Sequence, residues 1–185
     1  TATPRAGRPA VIGVIVDIAT FLALAIACAP QVHPDTARAI VAVESSFNPY
    51  AIGVVGGVLE RQPASRSEAL ATARALHAAG WNFSLGLGQI NVGNFARLGL
   101  TLESVLDPCT NLRAMQAVLD ECHGRTSIDS HPQAALRQAL SCYYSGNFTT
   151  GFAHGYVRKV VSAAATARHG TARATSRESR KKESL

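Results

Sequence analysis

The stretch "ARAIVAVESSFNPYAIG", residues 37–53, predicts a helix that carries a carboxylate on its buried face. Its residues Ala37, Ile40, Val41 and Glu44 follow the spacing i, i+3, i+4 and i+7, which places their side chains on one side of a helix. Three of the four are apolar and are expected to reach the core. Glu44 is therefore expected to lie beside the core, in the last turn of this helix.

The flanking segments predict a mostly helical domain. Pro34 favours a helix start and Asn48, which precedes Pro49, favours its end. The β-branched residues and paired glycines of residues 50–64 predict a small hairpin. Cap residues and apolar spacing predict further helices at about 67–79, a short one ending at Gly99 and capped by Asn91 or Asn94, 107–124, 132–145 and 156–165. The fold class is thus α+β, predominantly helical, with a small β-hairpin.

Composition and charge favour one compact domain with tails. The chain has 185 residues, of which 47% are hydrophobic and 16% charged, with a formal net charge of +6. Part of that charge falls in residues 163–185, which have few large apolar side chains and are predicted to be a basic disordered tail. Such a tail would suit nucleic acid, an acidic wall polymer or a protein partner, but a solvated tail is the favoured interpretation, and no nucleic acid partner is expected.

The N-terminal apolar run has two interpretations. Residues 9–30 follow a basic flank and place small residues before Cys28, which is typical of an export signal. Residues 17–27 also suit a first core helix capped by Asp17, and this second interpretation is favoured. Residues 1–16 would then be a presequence or a disordered N-terminus. A stable membrane span is not expected, because the run is short and Asp17 interrupts it.

Four cysteines favour disulfides. They lack the CxxC spacing of zinc sites, so no metal site is expected. Their even number favours disulfides and an oxidising compartment, with three pairings open. The residues are Cys28, Cys109, Cys122 and Cys142.

The predicted position of Glu44 suits acid catalysis. Burial and the negative end of the helix dipole both disfavour the carboxylate, so they should raise its pKa. A carboxyl that is protonated near neutral pH can donate its proton to a leaving oxygen. The alternative is a structural Glu that extends to solvent at the helix end or pairs with an arginine.

Two further segments have residue types that suit sugar recognition. "NFSLGLGQIN", residues 82–91, contains Gly86 and Gly88, which would let a ligand approach the backbone, and Gln89, whose amide can both donate and accept. "ALSCYYSGNF", residues 139–148, places two tyrosine rings near a helix end, where they can stack on sugars or bond to the acid. Each pattern is also consistent with a purely structural role, the first as a loop and the second as part of a core helix.

Taken in order, five segments resemble the lysozyme-like lytic transglycosylases, and among them the VirB-type enzymes of bacterial type IV secretion systems. The resemblance implies a lysozyme-like domain over residues 17–162 and a periplasmic enzyme. It also implies peptidoglycan glycan strands and type IV secretion components as partners. The segments are "CAPQVHPDTARAIVAVESSFNPYAIGVVGG" (28–57), "GWNFSLGLGQIN" (80–91), "DPCTNL" (107–112), "ALSCYYSGNFTTGF" (139–152) and "YVRKVV" (156–161).

The same resemblance implies the site residues. Glu44 would be the catalytic acid/base and Tyr143 would orient it. The implied substrate-binding residues are Ser45, Gly86, Gly88, Gln89, Asn91, Tyr143, Tyr144 and Tyr156. The chain departs from many relatives at Gly88, where they have Met, at Gly53, where some have Ser, and at Cys142 and Tyr144, where they have Ala and Asn.

A single acid fits a reaction in which the substrate assists itself. A usual glycosidase needs two carboxylates, and the motifs supply no second one, although Glu60 and Asp107 remain candidates. Glu44 would instead close a 1,6-anhydro ring on N-acetylmuramic acid, consuming no water or cofactor. The alternatives are a lysozyme-type hydrolase and a non-enzymatic wall-binding assembly component. The presence of Glu44, Gln89 and Tyr143 favours an enzyme.

The disulfide pairing has two competing predictions. The resemblance implies a bridge between Cys28 and Cys109, which leaves Cys122 with Cys142. If the helices on either side of Gly124 form an antiparallel hairpin, Cys142 lies about 14 Å of helix rise from the turn near Cys122. That geometry favours Cys109 with Cys142.

Overall fold

The computed structural model describes residues 14–127 and 131–167. In this part of the chain, helices surround a small antiparallel sheet, so the predicted fold class is confirmed. The helices are α1 (Ile18–Cys28), α2 (Pro34–Glu44), α3 (Arg66–Ala78), α4 (Phe95–Leu98), α5 (Pro108–Gly124), α6 (Pro132–Ser145), α7 (Thr150–Ala153) and α8 (residues 156–167); the strands are β1 (Ile52–Val54), β2 (Phe83–Leu85) and β3 (Ile90–Asn91).

Helix α1 is a core helix, as favoured from the sequence. Asp17 caps it by accepting a hydrogen bond from the backbone N–H of Thr20 at 3.0 Å. Phe21 is fully buried, and its ring lies 5.1 Å from that of Phe47 in an edge-on contact. Within the described residues, no helix is both long enough and apolar enough to cross a membrane.

The hairpin prediction for residues 50–64 is wrong in its strands. Only β1 comes from that segment, and it pairs with β2, which follows α3, with Ile52 opposite Leu85. Strand β2 then pairs with β3, giving the order β1-β2-β3. The other edge of β1 is occupied by the amide side chain of Gln62, which accepts from Ile52 N at 2.8 Å and donates to Ile52 O at 2.9 Å. A side chain thus takes the place of the expected second strand.

Two disulfides hold α5 at both ends. Cys28 of α1 bonds to Cys109, and Cys122 bonds to Cys142 of α6. This is the pairing that the resemblance implied, and the rival pairing of Cys109 with Cys142 is wrong. The rival assumed a tight antiparallel turn at Gly124, whereas seven residues separate α5 from α6 and the C-terminal ends of the two helices lie side by side.

The predicted terminal segments fall largely outside the described residues. Of the predicted presequence, residues 1–16, only 14–16 are described, and Val16 N donates to Phe47 O at 3.0 Å. Helix α8 continues to residue 167, so the predicted boundary at 162/163 falls within it. The remainder of the predicted tail, residues 168–185, lies outside the described part of the chain.

Candidate active site

A cleft of about 680 Å³ runs between the sheet and the C-terminal halves of α5 and α6. Five of the predicted site residues line it: Glu44, Gln89, Asn91, Tyr143 and Tyr144. The other four predicted catalytic or substrate-binding residues, Ser45, Gly86, Gly88 and Tyr156, are not among the residues that line it. The remaining lining residues include Gly53, Val54, Asn82, Ser84, Arg97, Val118, Glu121, Cys122, Arg125, Gly146 and His154.

Glu44 is the last residue of α2 and borders the cleft. Burial raises the pKa of its carboxyl to about 7, and the hydrogen bond from Tyr156 opposes that rise. The chain turns sharply after it, because Ser46 and Phe47 both adopt the left-handed conformation, with φ of 51° and 64°. Strained backbone of this kind persists only where the surrounding structure holds it. Burial, one of the two causes expected from the sequence, accounts for the raised pKa of this carboxyl at the end of α2.

Tyr156 is the hydrogen-bond donor to Glu44. Its hydroxyl lies 2.6 Å from Glu44 Oε1, and its side chain is almost fully buried at the start of α8. Burial and the negative charge of Glu44 raise the pKa of this phenol well above its usual value, so the hydroxyl keeps its proton. The ring of Tyr144 stacks on it at 4.7 Å, and the Tyr144 hydroxyl lies 3.3 Å from His154 Nδ1.

The hydroxyl of Tyr143 is hydrogen bonded to the backbone and not to Glu44. Its hydroxyl donates to the carbonyl of Gly88 at 2.5 Å, while Tyr156 provides the hydrogen bond to Glu44. A Cβ at residue 88 would lie 3.0 Å from that same hydroxyl and 3.0 Å from the Cβ of Met115. The absence of a side chain at Gly88 thus lets α5 and α6 pack against the backbone below the cleft.

The turn from β2 to β3 is held by Asn111, a residue that the sequence analysis did not single out. Its buried amide accepts from Gly88 N at 2.8 Å and donates to the carbonyls of Leu85 and Val105 at 2.9 Å each. A Cβ on Gly86, whose φ is +80°, would lie 2.2 Å from the Asn111 amide nitrogen. The available signal was an amide four residues before Met115, beside the apolar face of α5.

Gln89 follows this turn and lines the cleft. Its Nε2 donates to the carbonyls of Ala51 at 3.0 Å and Gly86 at 2.9 Å, and its φ of 49° lies in the left-handed region. Its Oε1 lies 2.7 Å from where a Cβ on Gly53 would be. Because both amide hydrogens are bonded to the backbone, the side-chain oxygen is the group left to accept from a ligand.

Other predicted residues are placed in supporting positions. The hydroxyl of Ser45, the C-cap of α2, donates to Val41 O, and the side-chain amide of Asn91 donates to Asn82 beside the cleft. Of the two further candidate carboxylates, Glu60 is exposed and does not line the cleft, and Asp107 caps α5.

A second carboxylate in the cleft was missed. Glu121 lines it and forms an ion pair with Arg97, which also lines it. Glu121 is three residues beyond Val118 and one before Cys122, so helical spacing places these side chains on one face of α5. The signal was this spacing, which becomes informative only once that face is known to border a cleft.

The Transglycosylase SLT domain family model matches residues 21–164, most of the chain. The chain belongs to the SLT transglycosylase family. It is 52% identical over 151 residues to the type IV secretion system protein virB1 of Brucella abortus biovar 1 (strain 9-941), covering 78% of this chain and 63% of that protein. It is 40% identical over 152 residues to the protein virB1 of Agrobacterium fabrum (strain C58 / ATCC 33970), covering 80% of this chain and 60% of that protein.

These alignments span about three-fifths of the length of the virB1 proteins. No solved structure matches this SLT domain significantly. The resemblance to SLT enzymes drawn from the five segments is confirmed by the family match, and the aligned region includes the cleft described above.

Proposed function

We propose that this protein is a peptidoglycan lytic transglycosylase that opens the cell wall for a type IV secretion system, with Glu44 as its only catalytic acid and base. The observation that carries the proposal is the protonatable Glu44 carboxyl, which borders the cleft and accepts a hydrogen bond from Tyr156. Membership in the SLT family and the printed name of the Brucella relative support the substrate and the partner. Two disulfides support a periplasmic location, since such bonds persist in oxidising compartments.

The first step breaks the bond between the anomeric carbon of N-acetylmuramic acid and the oxygen of the following N-acetylglucosamine. Glu44 donates its proton to that oxygen, which leaves as a hydroxyl. The carbonyl of the muramyl 2-acetamido group stabilises the positive charge that develops on the anomeric carbon.

In the second step the muramyl C6 hydroxyl oxygen bonds to the anomeric carbon. Glu44, now a carboxylate, takes the proton of that hydroxyl and returns to its starting state. The ring closure consumes no water and needs no cofactor. Tyr156 supports both steps, because a protonated phenol can donate to either form of the carboxyl.

The second candidate is a lysozyme-type hydrolase, and Glu121 is the observation that favours it. Glu121 borders the same cleft, and hydrolysis uses a second carboxylate to activate water or form a covalent intermediate. Its ion pair with Arg97 argues for a structural carboxylate instead.

Mass spectrometry of the fragments released from purified peptidoglycan sacculi tests the proposal. Wild type and Glu121→Gln are both expected to release anhydro ends, lighter by one water than hydrated ends, and Glu44→Gln is expected to release none. Hydrated ends from wild type that disappear in Glu121→Gln would establish the hydrolase. Absence of soluble product from wild type would favour the wall-binding component.

A further inference from the structure

Within the described residues, one guanidinium that lines the cleft has no carboxylate partner. Among the described residues that line it, the carboxyl and guanidinium side chains are those of Glu44, Arg97, Glu121 and Arg125. Arg97 and Glu121 form an ion pair, and Glu44 is hydrogen bonded to Tyr156. Among the described residues, Arg125 has no acidic partner.

Arg125 is held in place by weak contacts that leave its donors available. It follows the last residue of α5, and its Nη1 and Nη2 lie 3.5 Å from Cys142 Sγ and 3.4 Å from Gly146 O. Its guanidinium carbon lies 5.5 Å from the centroid of the Phe148 ring. The contact to Gly146 O is long for a hydrogen bond, the Cys142 sulfur is a weak acceptor, and a guanidinium has five N–H donors. The group is therefore positioned by its surroundings but not saturated by them.

The helix geometry directs Arg125 into the cleft. Val118, Glu121 and Cys122 share one face of α5, and Arg125, at the C-cap of that helix, continues the same spacing; all four line the cleft. A planar guanidinium with free donors at the edge of a cleft suits a carboxylate, which it can bind through two parallel hydrogen bonds.

We infer that Arg125 binds a carboxylate of the peptide that is attached to the muramyl residue, and so makes this cleft selective for glycan strands that carry peptide. The inference rests on the proposed function for the identity of the strand. The sugar backbone offers hydroxyl and acetamido groups to Gln89 and Asn91. The carboxylates of peptide-bearing strands lie on the attached peptide, so an arginine that has no acidic partner among the described residues of a sugar cleft suits that part of the substrate.

Binding to soluble glycan strands tests the inference separately from catalysis. The parent protein is the Glu44→Gln variant, which cannot cleave the strands. Its binding is compared with that of three further variants made in it: Arg125→Gln, Arg125→Lys and Arg113→Gln. Arg113 is the matched control, because it is an exposed arginine on the same helix outside the cleft lining. One set of strands carries peptide, and the other has been treated with an amidase that removes it and frees the lactyl carboxylate.

With peptide-bearing strands, Arg125→Gln is expected to weaken binding about tenfold, an effect of the size of one charge-assisted hydrogen-bond pair. Arg125→Lys should restore part of the loss, and added salt should reduce the difference. Arg113→Gln should bind as the parent does. With amidase-treated strands, Arg125→Gln and the parent should bind equally.

Three results would overturn the inference. If Arg125→Gln also weakens binding to amidase-treated strands, Arg125 binds the lactyl carboxylate instead. If Arg113→Gln weakens binding equally, the effect is one of overall charge. If Arg125→Gln binds peptide-bearing strands as the parent does, Arg125 is not a binding residue. Unchanged thermal unfolding midpoints show that the variants fold. If the parent binds both strands but wild type releases no fragments, the proposed catalysis fails and the binding inference is still decided.

Discussion

The Tyr156 hydroxyl donates a 2.6 Å hydrogen bond to Glu44 across a sequence separation of 112 residues. The pair joins the last residue of α2 to the first residue of α8. It also sets two opposing influences on one carboxyl, because burial raises its pKa and the tyrosine lowers it.

Tyr156→Phe is predicted to move the pH dependence of catalysis to higher pH. The hydrogen bond stabilises the carboxylate form, so its removal should raise the pKa of Glu44 above about 7. A bond to a charged group contributes about 1.5 kcal/mol, which corresponds to a shift of about one pH unit. The alkaline limb of kcat/KM against pH, measured on soluble strands, should shift by that amount. Tyr50→Phe, a tyrosine outside the cleft lining, is the control, and a downward shift in Tyr156→Phe would contradict the assigned sign.

Glu44→Gln is predicted to become more stable than wild type as pH rises. A carboxyl whose pKa is about 7 when folded and 4.5 when unfolded binds more protons in the folded state between these values. The stability of wild type should therefore fall as pH rises through this window, by about 3 kcal/mol at most. Thermal unfolding at pH 5 and pH 8 should show similar midpoints at pH 5 and a higher midpoint for Glu44→Gln at pH 8. Glu121→Gln, which alters an exposed carboxylate, should not reproduce this divergence.

Asn111→Ala is predicted to destabilise the protein strongly. It removes the partners of Gly88 N, Leu85 O and Val105 O, which are bonded to one buried amide. Unpaired buried groups cost about 1–3 kcal/mol each, so a total of about 3 kcal/mol is expected after partial relaxation. The unfolding midpoint should fall by roughly 6–12 °C. Gln133→Ala, an exposed amide on α6, should change it little, and a comparable loss there would show that Asn111 is not special.

Gly53→Ala is predicted to reduce activity more than stability. The new Cβ would lie 2.7 Å from Gln89 Oε1, so the amide would have to leave its bonds to the carbonyls of Ala51 and Gly86. KM on soluble strands should rise, while the unfolding midpoint changes by a few degrees. Gly124→Ala is the control, because a Cβ there meets nothing within 4 Å. Unaltered KM in Gly53→Ala would mean that the position of the Gln89 amide does not affect substrate binding.

The Cys28–Cys109 bridge is predicted to stabilise the fold more than Cys122–Cys142. The two bridges close segments with sequence separations of 81 and 20. In the chain-entropy account, the larger loop should contribute about 1 kcal/mol more. Denaturant unfolding of the two double Cys→Ser variants measures the difference. The opposite ranking would show that local packing around the cleft outweighs loop closure.

Local pattern predicted the part of this site that depends on one helix. The spacing from Ala37 to Glu44 was sufficient to place a carboxyl beside the core at the end of α2, as the structure has it. The role of Asn111 depends on backbone groups before it and across a strand turn, so no local pattern identified it. The hairpin prediction was wrong for a similar reason. The edge of β1 is hydrogen bonded to the side chain of Gln62 and not to a second strand, and local pattern does not show this.

The relation between α5 and α6 was also beyond local pattern. Each helix was predicted from its caps and apolar spacing, but no local pattern showed that the seven connecting residues bring the two C-terminal ends together at Cys122 and Cys142. The positions of Glu121 and Arg125 in the cleft depend on the same arrangement, so the sequence alone did not predict them.

The close approach of Gly86 to Asn111 couples the residue types that these two positions can hold. A side chain at residue 86 collides with the amide, and a different residue at 111 leaves the turn without its hydrogen bonds. A substitution at either position alone should destabilise the turn, so in evolution the two positions are expected to change together. Chimeric chains that take the β2–β3 turn from one homologue and α5 from another should fail whenever the two parents differ at this pair.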